Sequence, residues 1–510
     1  MSKNKAEAKT EKTKSLCPEC LEVIPAEIFK ENDKVMIKKN CKKHGVFEDV
    51  YWSDASLYEK FKSFAQDGKG LKNPNTKERN NCPYDCGLCP KHKTTTLLAN
   101  VDLTNRCNQR CPICFANSAV AGYIYEPSFE QIKKMMETLR NERPVPCQAV
   151  QFSGGEPTLH PDFLKIIKLA KQMGFIQTQI ASNGVKESQS VDFCKKMKEA
   201  GLNTVYFQFD GVKEETYKKV RGYNALPAKL KAMENFRKAG LTSIVLVPTI
   251  VRGINDDQIG DVLNFAKKNS DIVKGVNFQP VSFSGRIDKK ELKKQRITIP
   301  DVLELLEKQT AGEISKSDFY PIPSVVPISY FAEAWQKQPK VEFTVHPHCG
   351  AATYVFIEND KFIPITRFID VEKFLDLVKE ATEDLKNPGF LKRVAKTDKF
   401  EKAQAIARII NNIPNLLKKG GYSKGSEVIK MIIDNLSAGD SATLQKFHKN
   451  TLFIGIMHFM DAYNFDVERI KRCGIHYATP DNRIIPFCAY NSIYREEVER
   501  KFSRPKQLSN

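Results

Sequence analysis

The chain has 510 residues, 41% of them hydrophobic, and a formal charge of +19. That length exceeds what one core usually fills, so two or three domains are expected, and the apolar fraction is enough to fold them. No run approaches the roughly 18 apolar residues that a membrane-spanning helix needs, and no apolar leader is evident, so the fourteen cysteines read as metal ligands in a reducing compartment rather than as disulfides.

Residues 1–15 are Lys, Glu, Ala and Thr with almost nothing apolar, and a disordered tail is expected there. Residues 16–60 carry Cys17-Pro18-Glu19-Cys20 and Cys41-Lys42-Lys43-His44, with strand-like Val35-Met36-Ile37 between them. Two knuckles around a hairpin are the spacing of a zinc ribbon or a rubredoxin-like site. Cys17, Cys20, Cys41 and His44 then close a tetrahedron around one mononuclear iron or zinc, a structural ion because four protein ligands leave no open position. Residues 61–95 hold Cys82, Cys86 and Cys89 at C-x3-C-x2-C spacing. Three soft thiolates select an iron-sulfur cluster or zinc. The reading is an auxiliary cluster whose fourth ligand comes from elsewhere, with His92 and Cys147 as candidates.

From residue 96 to residue 285 the pattern changes to β/α alternation. Strand-like runs fall at 98–103, 149–152, 176–180, 204–209, 243–250 and 275–281, with helical spacing at 129–139, 163–173, 193–200, 230–239 and 259–266. Six such units predict an α/β fold, a partial (β/α)6 TIM barrel with its site at the C-terminal strand ends. The first strand runs into Cys107, Cys111 and Cys114, again C-x3-C-x2-C: three corners of one cluster, with the fourth iron left open. Ser153-Gly154-Gly155-Glu156-Pro157 follows the second strand and Ser182-Asn183-Gly184 the third. Asp210, Thr249 and Gln279 close the fourth, fifth and sixth strands, where they would face the same site or serve as plain turns.

Residues 286–510 read as an α-rich C-terminal domain, with helices at 371–385, 403–417, 428–436 and 453–459. Cys349, Cys473 and Cys488 lie in turn-rich segments beside Gly and Pro and are expected to hold a third cluster, whereas Cys194 sits in an amphipathic helix and reads as a small buried hydrophobe. The apolar stretches 328–335 and 453–460 either wall a long channel or pack as core.

The Cys107/Cys111/Cys114 loop, Gly154-Gly155-Glu156 and Ser182-Asn183 together resemble the radical S-adenosylmethionine (SAM) superfamily. The resemblance implies a radical SAM 4Fe-4S cluster with SAM chelated by its open iron; with the two auxiliary clusters read from the other cysteine groups, three 4Fe-4S clusters are expected. It also implies an electron from an external donor such as ferredoxin or flavodoxin, and a 5′-deoxyadenosyl radical that abstracts hydrogen. Gly154, Gly155 and Glu156 would then meet the SAM amino group, Ser182 and Asn183 its ribose, and Phe115 its adenine in place of Ile113, where the family usually has an aromatic residue.

The whole order of motifs, from the N-terminal knuckles to Pro486-Phe487-Cys488-Ala489-Tyr490-Asn491, resembles the archaeal tetraether lipid synthase family. That resemblance implies C–C coupling of terminal carbons of isoprenoid chains, an ether phospholipid as substrate, and a cytoplasmic enzyme held peripherally at the inner membrane face by its basic charge. The alternative within the same family is a radical SAM methylase of 7,8-dihydro-6-hydroxymethylpterin in methanopterin biosynthesis, which calls for a compact polar pocket. An iron-sulfur electron carrier or an RNA-binding protein leaves the GGE motif unexplained. The basic runs carry no aromatic stacking platform, so no nucleic-acid partner is expected.

Overall fold

A computed structural model of the chain describes residues 10–79, 81–386, 398–418, 425–438 and 451–505. Its N-terminal unit is an antiparallel meander of β1 (Glu11–Leu16), β2 (Val23–Glu31), β3 (Lys34–Cys41) and β4 (Gly45–Trp52), paired in that order. The alternating pattern of β3 buries Val35, Ile37, Lys39 and Cys41 on one side, the half-buried periodicity of a strand. The helix α1 (Ala55–Lys62) follows, its first turn capped by the Asp54 carboxylate accepting from the Leu57 amide at 2.8 Å. The tail expected over residues 1–15 is corrected from residue 11 onward, and residues 1–9 lie outside the described residues. A polar composition does not exclude an edge strand when its partners come from far away. β1 pairs with β2 through six residues, and Thr13 Oγ1 donates to Asp466 at 2.6 Å.

The α/β alternation begins at β5 (Leu98–Thr104) and, after the short β6 (Tyr123–Tyr125), runs α2 (Phe129–Arg140), β7 (Ala149–Gly154), α3 (Phe163–Gln172), β8 (Gln177–Ser182), α4 (Val185–Gln189) and α5 (Val191–Glu199). It continues with β9 (Thr204–Gln208), α6 (Glu214–Arg221), α7 (Leu226–Ala239), β10 (Ile244–Val247), β11 (Thr249–Ile250), α8 (Ile259–Lys268) and β12 (Val273–Pro280). The strands are parallel in the order β5-β7-β8-β9-β10-β12, beneath helices whose apolar faces meet one continuous core. α2 shows the local logic: Ser128 and Gln131 form a reciprocal capping box, and Ile132, Met135, Met136 and Leu139 recur at helical spacing and are buried.

The sheet does not stop at residue 285. The later strands are β13 (Tyr320–Pro321), β14 (Gly350–Glu358), β15 (Lys361–Pro364), β16 (Thr451–Met457), β17 (Ile475–Ala478), β18 (Ile484–Pro486) and β19 (Ser503–Pro505), the last pairing with β6. β16 runs parallel beside β12, and β17 parallel beside β5, so the late chain extends both edges of the early sheet. The α-rich reading of residues 286–510 therefore needs correction. Helices Val326–Gln336, Val371–Lys386, Asp398–Asn411 and Gly425–Ala438 are present around a core of their own, but the helix expected at 453–459 is the buried strand β16. A short run of Leu, Phe and Ile flanked by turns is ambiguous by periodicity. Here two neighbouring strands, β12 and β14, bind its backbone on both sides and settle it.

Candidate active site and metal centres

At the N-terminal meander, the β1–β2 turn and the β3–β4 turn bring together Cys17, Cys20, Cys41 and His44, whose ligand atoms all lie within 4.8 Å of one another. Cys17 Sγ and Cys41 Sγ are 3.5 and 3.6 Å from His44 Nδ1, and Cys20 Sγ is 3.9 Å from Cys41 Sγ. Ligands of one tetrahedral ion at metal–sulfur bonds of about 2.3 Å stand about 3.8 Å apart. Backbone amides of Lys43 and His44 that point at the Cys41 sulfur draw its thiol down to about 6, toward the thiolate a metal requires.

At the C-terminal ends of the parallel strands three loops interlock. Cys107, Cys111 and Cys114 follow β5, and Arg286 fastens their loop from after β12. Its Nε donates to the Cys111 carbonyl at 2.6 Å, and its backbone exchanges two 2.9 Å hydrogen bonds with Cys114. Arg221, at the end of α6, reaches the Ile113 carbonyl at 3.2 Å while its Nε and Nη2 grip the buried Asp210 carboxylate at 2.7 and 2.5 Å. Asp210, expected to face the site, is thus occupied as the counter-ion of an arginine that positions the cysteine loop. Thr249 joins the same clamp, with its hydroxyl 3.3 Å from Arg221 and its amide 3.2 Å from Asp210.

The Gly154-Gly155 turn lies directly against the start of the cysteine loop. The Gly155 amide donates to the Thr104 carbonyl at 2.7 Å and the Glu156 amide to that of Arg106 at 2.8 Å. A Cβ at Gly154 would strike the Thr104 carbonyl oxygen, one at Gly155 that of Arg106, and Gly154 has φ +123°. Close approach and a left-handed backbone both require glycine here. Glu156 is fully buried and accepts from Thr158 Oγ1 at 2.7 Å, from Ser182 Oγ at 3.1 Å and from the Asn183 amide at 2.9 Å. It therefore ties the GGE turn to the Ser182-Asn183 turn. Asn183 continues the chain of contacts, its Nδ2 lying 2.7 Å from Asn108 Oδ1 and 3.8 Å from Cys107 Sγ. Lys229, buried on α7, donates to the Asn183 carbonyl at 2.5 Å and to Gln208 Oε1 at 3.0 Å, and burial lowers its pKa to about 8. Phe115 is exposed and faces Phe487 with ring centres 5.8 Å apart. Gln279 donates to the Tyr206 hydroxyl at 2.9 Å.

Cys82, Cys86 and Cys89 line a small cavity together with His92. The Cys86 thiol donates to Cys82, which holds Cys86 well above the usual thiol range, and Cys473 adds to that shift. Of the two candidate fourth ligands, His92 borders this cavity, while Cys147 is fully buried in the main core and its thiol faces the Ala149 carbonyl. Cys349, Cys473 and Cys488 converge from three separated segments around the buried guanidinium of Arg469, whose Nε lies 3.4 Å from Cys349 Sγ and whose field also reaches Cys488. Cys194 is buried on α5. Arg221, Arg286, Arg469 and Lys229 were not singled out in the sequence, because nothing local distinguishes them from the chain's other 76 Lys and Arg, out of 80.

Comparison with known proteins adds the ancestry. Residues 101–266 match the Radical SAM superfamily and residues 10–53 the HMPTM N-terminal zinc ribbon domain. Over 498 residues, 97% of this chain and 96% of the relative, the sequence is 52% identical to 7,8-dihydro-6-hydroxymethylpterin dimethyltransferase of Methanocaldococcus jannaschii. The chain belongs to this family of radical SAM enzymes. GTP 3',8-cyclase of Clostridium acetobutylicum is 26% identical over 47% of this chain and 69% of the cyclase. A solved structure of Streptococcus suis SuiB bound to S-adenosylmethionine overlaps 43% of this chain and 44% of its own at 14% identity and a TM-score of 0.34, too slight a likeness to argue from.

The family overturns the tetraether lipid synthase reading together with its ether phospholipid partner, because the relative that spans the chain is a pterin dimethyltransferase by name. The two apolar stretches read as either channel wall or core are core. Ile328, Phe331 and Trp335 pack into the helical core, and Leu452, Ile454 and Ile456 of β16 are buried in the main one. Among the described residues no helix is long and apolar enough to cross a membrane.

Proposed function

We propose that this protein is a radical SAM methylase acting on 7,8-dihydro-6-hydroxymethylpterin. The full-length likeness to an enzyme of that name carries the reading. Its first support in the fold is the inner face of the parallel sheet, which presents Gln177, Gln179, Tyr206, Gln208 and Gln279 half-buried, where a lipid would need apolar lining.

The cysteine loop would hold the 4Fe-4S cluster that the radical SAM family implies. Burial pushes the Cys107 thiol up to about 12 and raises Cys111, and the positive charge of Arg221 beside Cys111 opposes that rise, as a loop that must hold thiolates requires. When bound, the cluster with its open iron supplies the electron that cleaves SAM. Gly154 and Gly155 offer backbone to the methionine part of SAM, Ser182 and Asn183 offer polar groups to its ribose, and Glu156 holds these two turns in register. Lys229 is a buried cation with no carboxylate hydrogen-bonded to it among the described residues, which suits the SAM carboxylate. Cys82, Cys86 and Cys89 would take one auxiliary cluster and Cys349, Cys473 and Cys488 another. The Cys17/Cys20/Cys41/His44 ribbon would take one iron or zinc. The six parallel strands would form the open barrel of such enzymes, and a ferredoxin or flavodoxin would supply electrons.

The test is anaerobic turnover of reduced, cluster-loaded protein with SAM and 7,8-dihydro-6-hydroxymethylpterin, followed by product mass. Gain of one and then two methyl groups is expected, with none in Cys111→Ala. A pterin left unchanged while the wild-type protein cleaves SAM would overturn the reading.

A further inference from the structure

The inner face of the sheet is organised as an array of amides rather than a random polar lining. Along β8, Thr178, Ile180 and Ser182 are buried against the helices while Gln177, Gln179 and Ala181 are half-buried on the other face. From Gln179 the hydrogen bonds run sideways across the strands: its Nε2 donates to Gln151 Oε1 at 2.7 Å, and Gln151 Nε2 donates to Asn100 Oδ1 at 2.7 Å. The run ends on Asn100 Nδ2, which is buried and has no partner among the described residues. On the other side, Tyr206 accepts from Gln279 Nε2 at 2.9 Å and from Asn277 Nδ2. A phenol that accepts twice still has its own proton to give. Among the described residues no acceptor takes it, and burial, which raises its pKa to about 12, keeps that proton in place. Gln279 Oε1 likewise has no donor among the described residues.

The Tyr206 and Gln279 part of this array sits next to the reacting end, while Gln179 lies lower on the sheet, in register with Thr204 at the start of β9. Gln279 is in register with Thr249, whose hydroxyl touches Arg221 of the loop clamp. Gln208, two residues past Tyr206 on the same face, is bonded to Lys229 and through it to Asn183.

We propose that Gln179, Tyr206 and Gln279 read the aminopyrimidinone edge of the pterin, an inference that rests on the pterin reading above. That edge presents two adjacent N–H donors, the 2-amino group and N3–H, beside a carbonyl acceptor. The array offers the complement: the hydroxyl donor of Tyr206, the carboxamide oxygen of Gln279, and that of Gln179, which accepts from Gln177 Nε2 at 3.4 Å and has a second lone pair to offer. An acyl chain would leave the Tyr206 proton and Gln279 Oε1 without a partner on burial. Asn100, Gln151 and Asn277 position the three readers.

The test measures anaerobic equilibrium binding of 7,8-dihydro-6-hydroxymethylpterin, and of its lumazine counterpart with oxygen in place of the 2-amino group, to the cluster-loaded full chain. A site that hydrogen-bonds a donor discriminates strongly against an analogue lacking it, so the wild type is expected to prefer the pterin by about tenfold or more. Gln179→Leu should weaken pterin binding by about tenfold and bring the pterin-to-lumazine ratio toward one. The near-isosteric Tyr206→Phe should weaken it without altering the fold. Thr178→Val, on the opposite face of β8, where the hydroxyl is buried without a partner among the described residues, should leave both affinities unchanged. Wild-type affinity and discrimination in both Gln179→Leu and Tyr206→Phe would overturn this assignment. A wild-type protein that binds no pterin would instead overturn the functional reading beneath it.

Discussion

Glu142, just past α2, accepts from Thr96 Oγ1 at 2.6 Å, and Thr96 Oγ1 in turn lies 2.9 Å from His476 Nδ1. Burial outweighs that hydrogen bond and raises the carboxyl to about 7 from an ordinary 4.5. An acid whose folded pKa exceeds its unfolded value binds more protons when folded. Its burial therefore costs nothing below about pH 4.5, and stability is lost as pH rises through about 7, by up to about 3 kcal/mol at 1.4 kcal/mol per pKa unit. Glu142→Gln should flatten the fall in urea midpoint between pH 5 and pH 8, and parallel pH profiles for the two proteins would rule this out. Of the candidate site residues, those that announce chemistry by type and spacing could be named from the sequence: the cysteines, Gly154-Gly155-Glu156 and Ser182-Asn183. Their supports were not. Arg221 meets Asp210 eleven residues away, but Arg495 meets Asp102 across 393, and such pairings exist only once the chain is folded. The same pairing takes Asp210 out of the set of free site groups.

The turn after β7 shows what a motif requires of its backbone. Gly155 faces the Arg106 carbonyl, one residue before Cys107, so an added methyl cannot be accommodated by a side-chain rotation. Gly154 is in a conformation that non-glycine residues adopt at a cost of about 1–3 kcal/mol. Gly155→Ala should displace the cysteine loop and lower both iron content and SAM affinity, measured by iron analysis and calorimetry. Gly253→Ala, where an added Cβ meets nothing within 4 Å, should lower neither. Full iron and unchanged SAM affinity in Gly155→Ala would show that the turn does not position the loop. The strand and helix pattern from β5 to β12 was largely evident in the sequence, since alternating hydrophobic periods with Gly and Pro punctuation have one reading. β1 and β16 were missed for opposite reasons. β1 is too polar to look like a strand and is made one by pairing with β2; β16 is apolar throughout, which fits a buried helix as well as a strand with neighbours on both edges.

The molecule as a whole is held together by its late chain. Without β16 and β17 the parallel sheet would end on β12 and on β5, each presenting a row of unpaired backbone groups to solvent. Arg495 strengthens the β5 side of the sheet from the α-helix Arg495–Lys501. It is buried, bonded to Asp102 of β5 at 2.7 Å and to Glu499 at 2.9 Å, and its removal would leave the Asp102 carboxylate buried with, among the described residues, only Ser153 donating to it. Breaking one member of a buried ion pair typically costs about 3–5 kcal/mol, a large part of the stability of a whole domain. A chain truncated after residue 445 retains all six early strands and every SAM-motif residue, yet loses both flanking strands and this arginine. Such a truncation should accumulate as aggregate, with little monomer on size exclusion, while full-length Arg495→Met, which keeps the flanking strands, should remain monomeric but melt at lower temperature. A truncated chain that ran as a monomer and bound SAM would mean that the early strands form a complete domain and that the late strands are an addition to it.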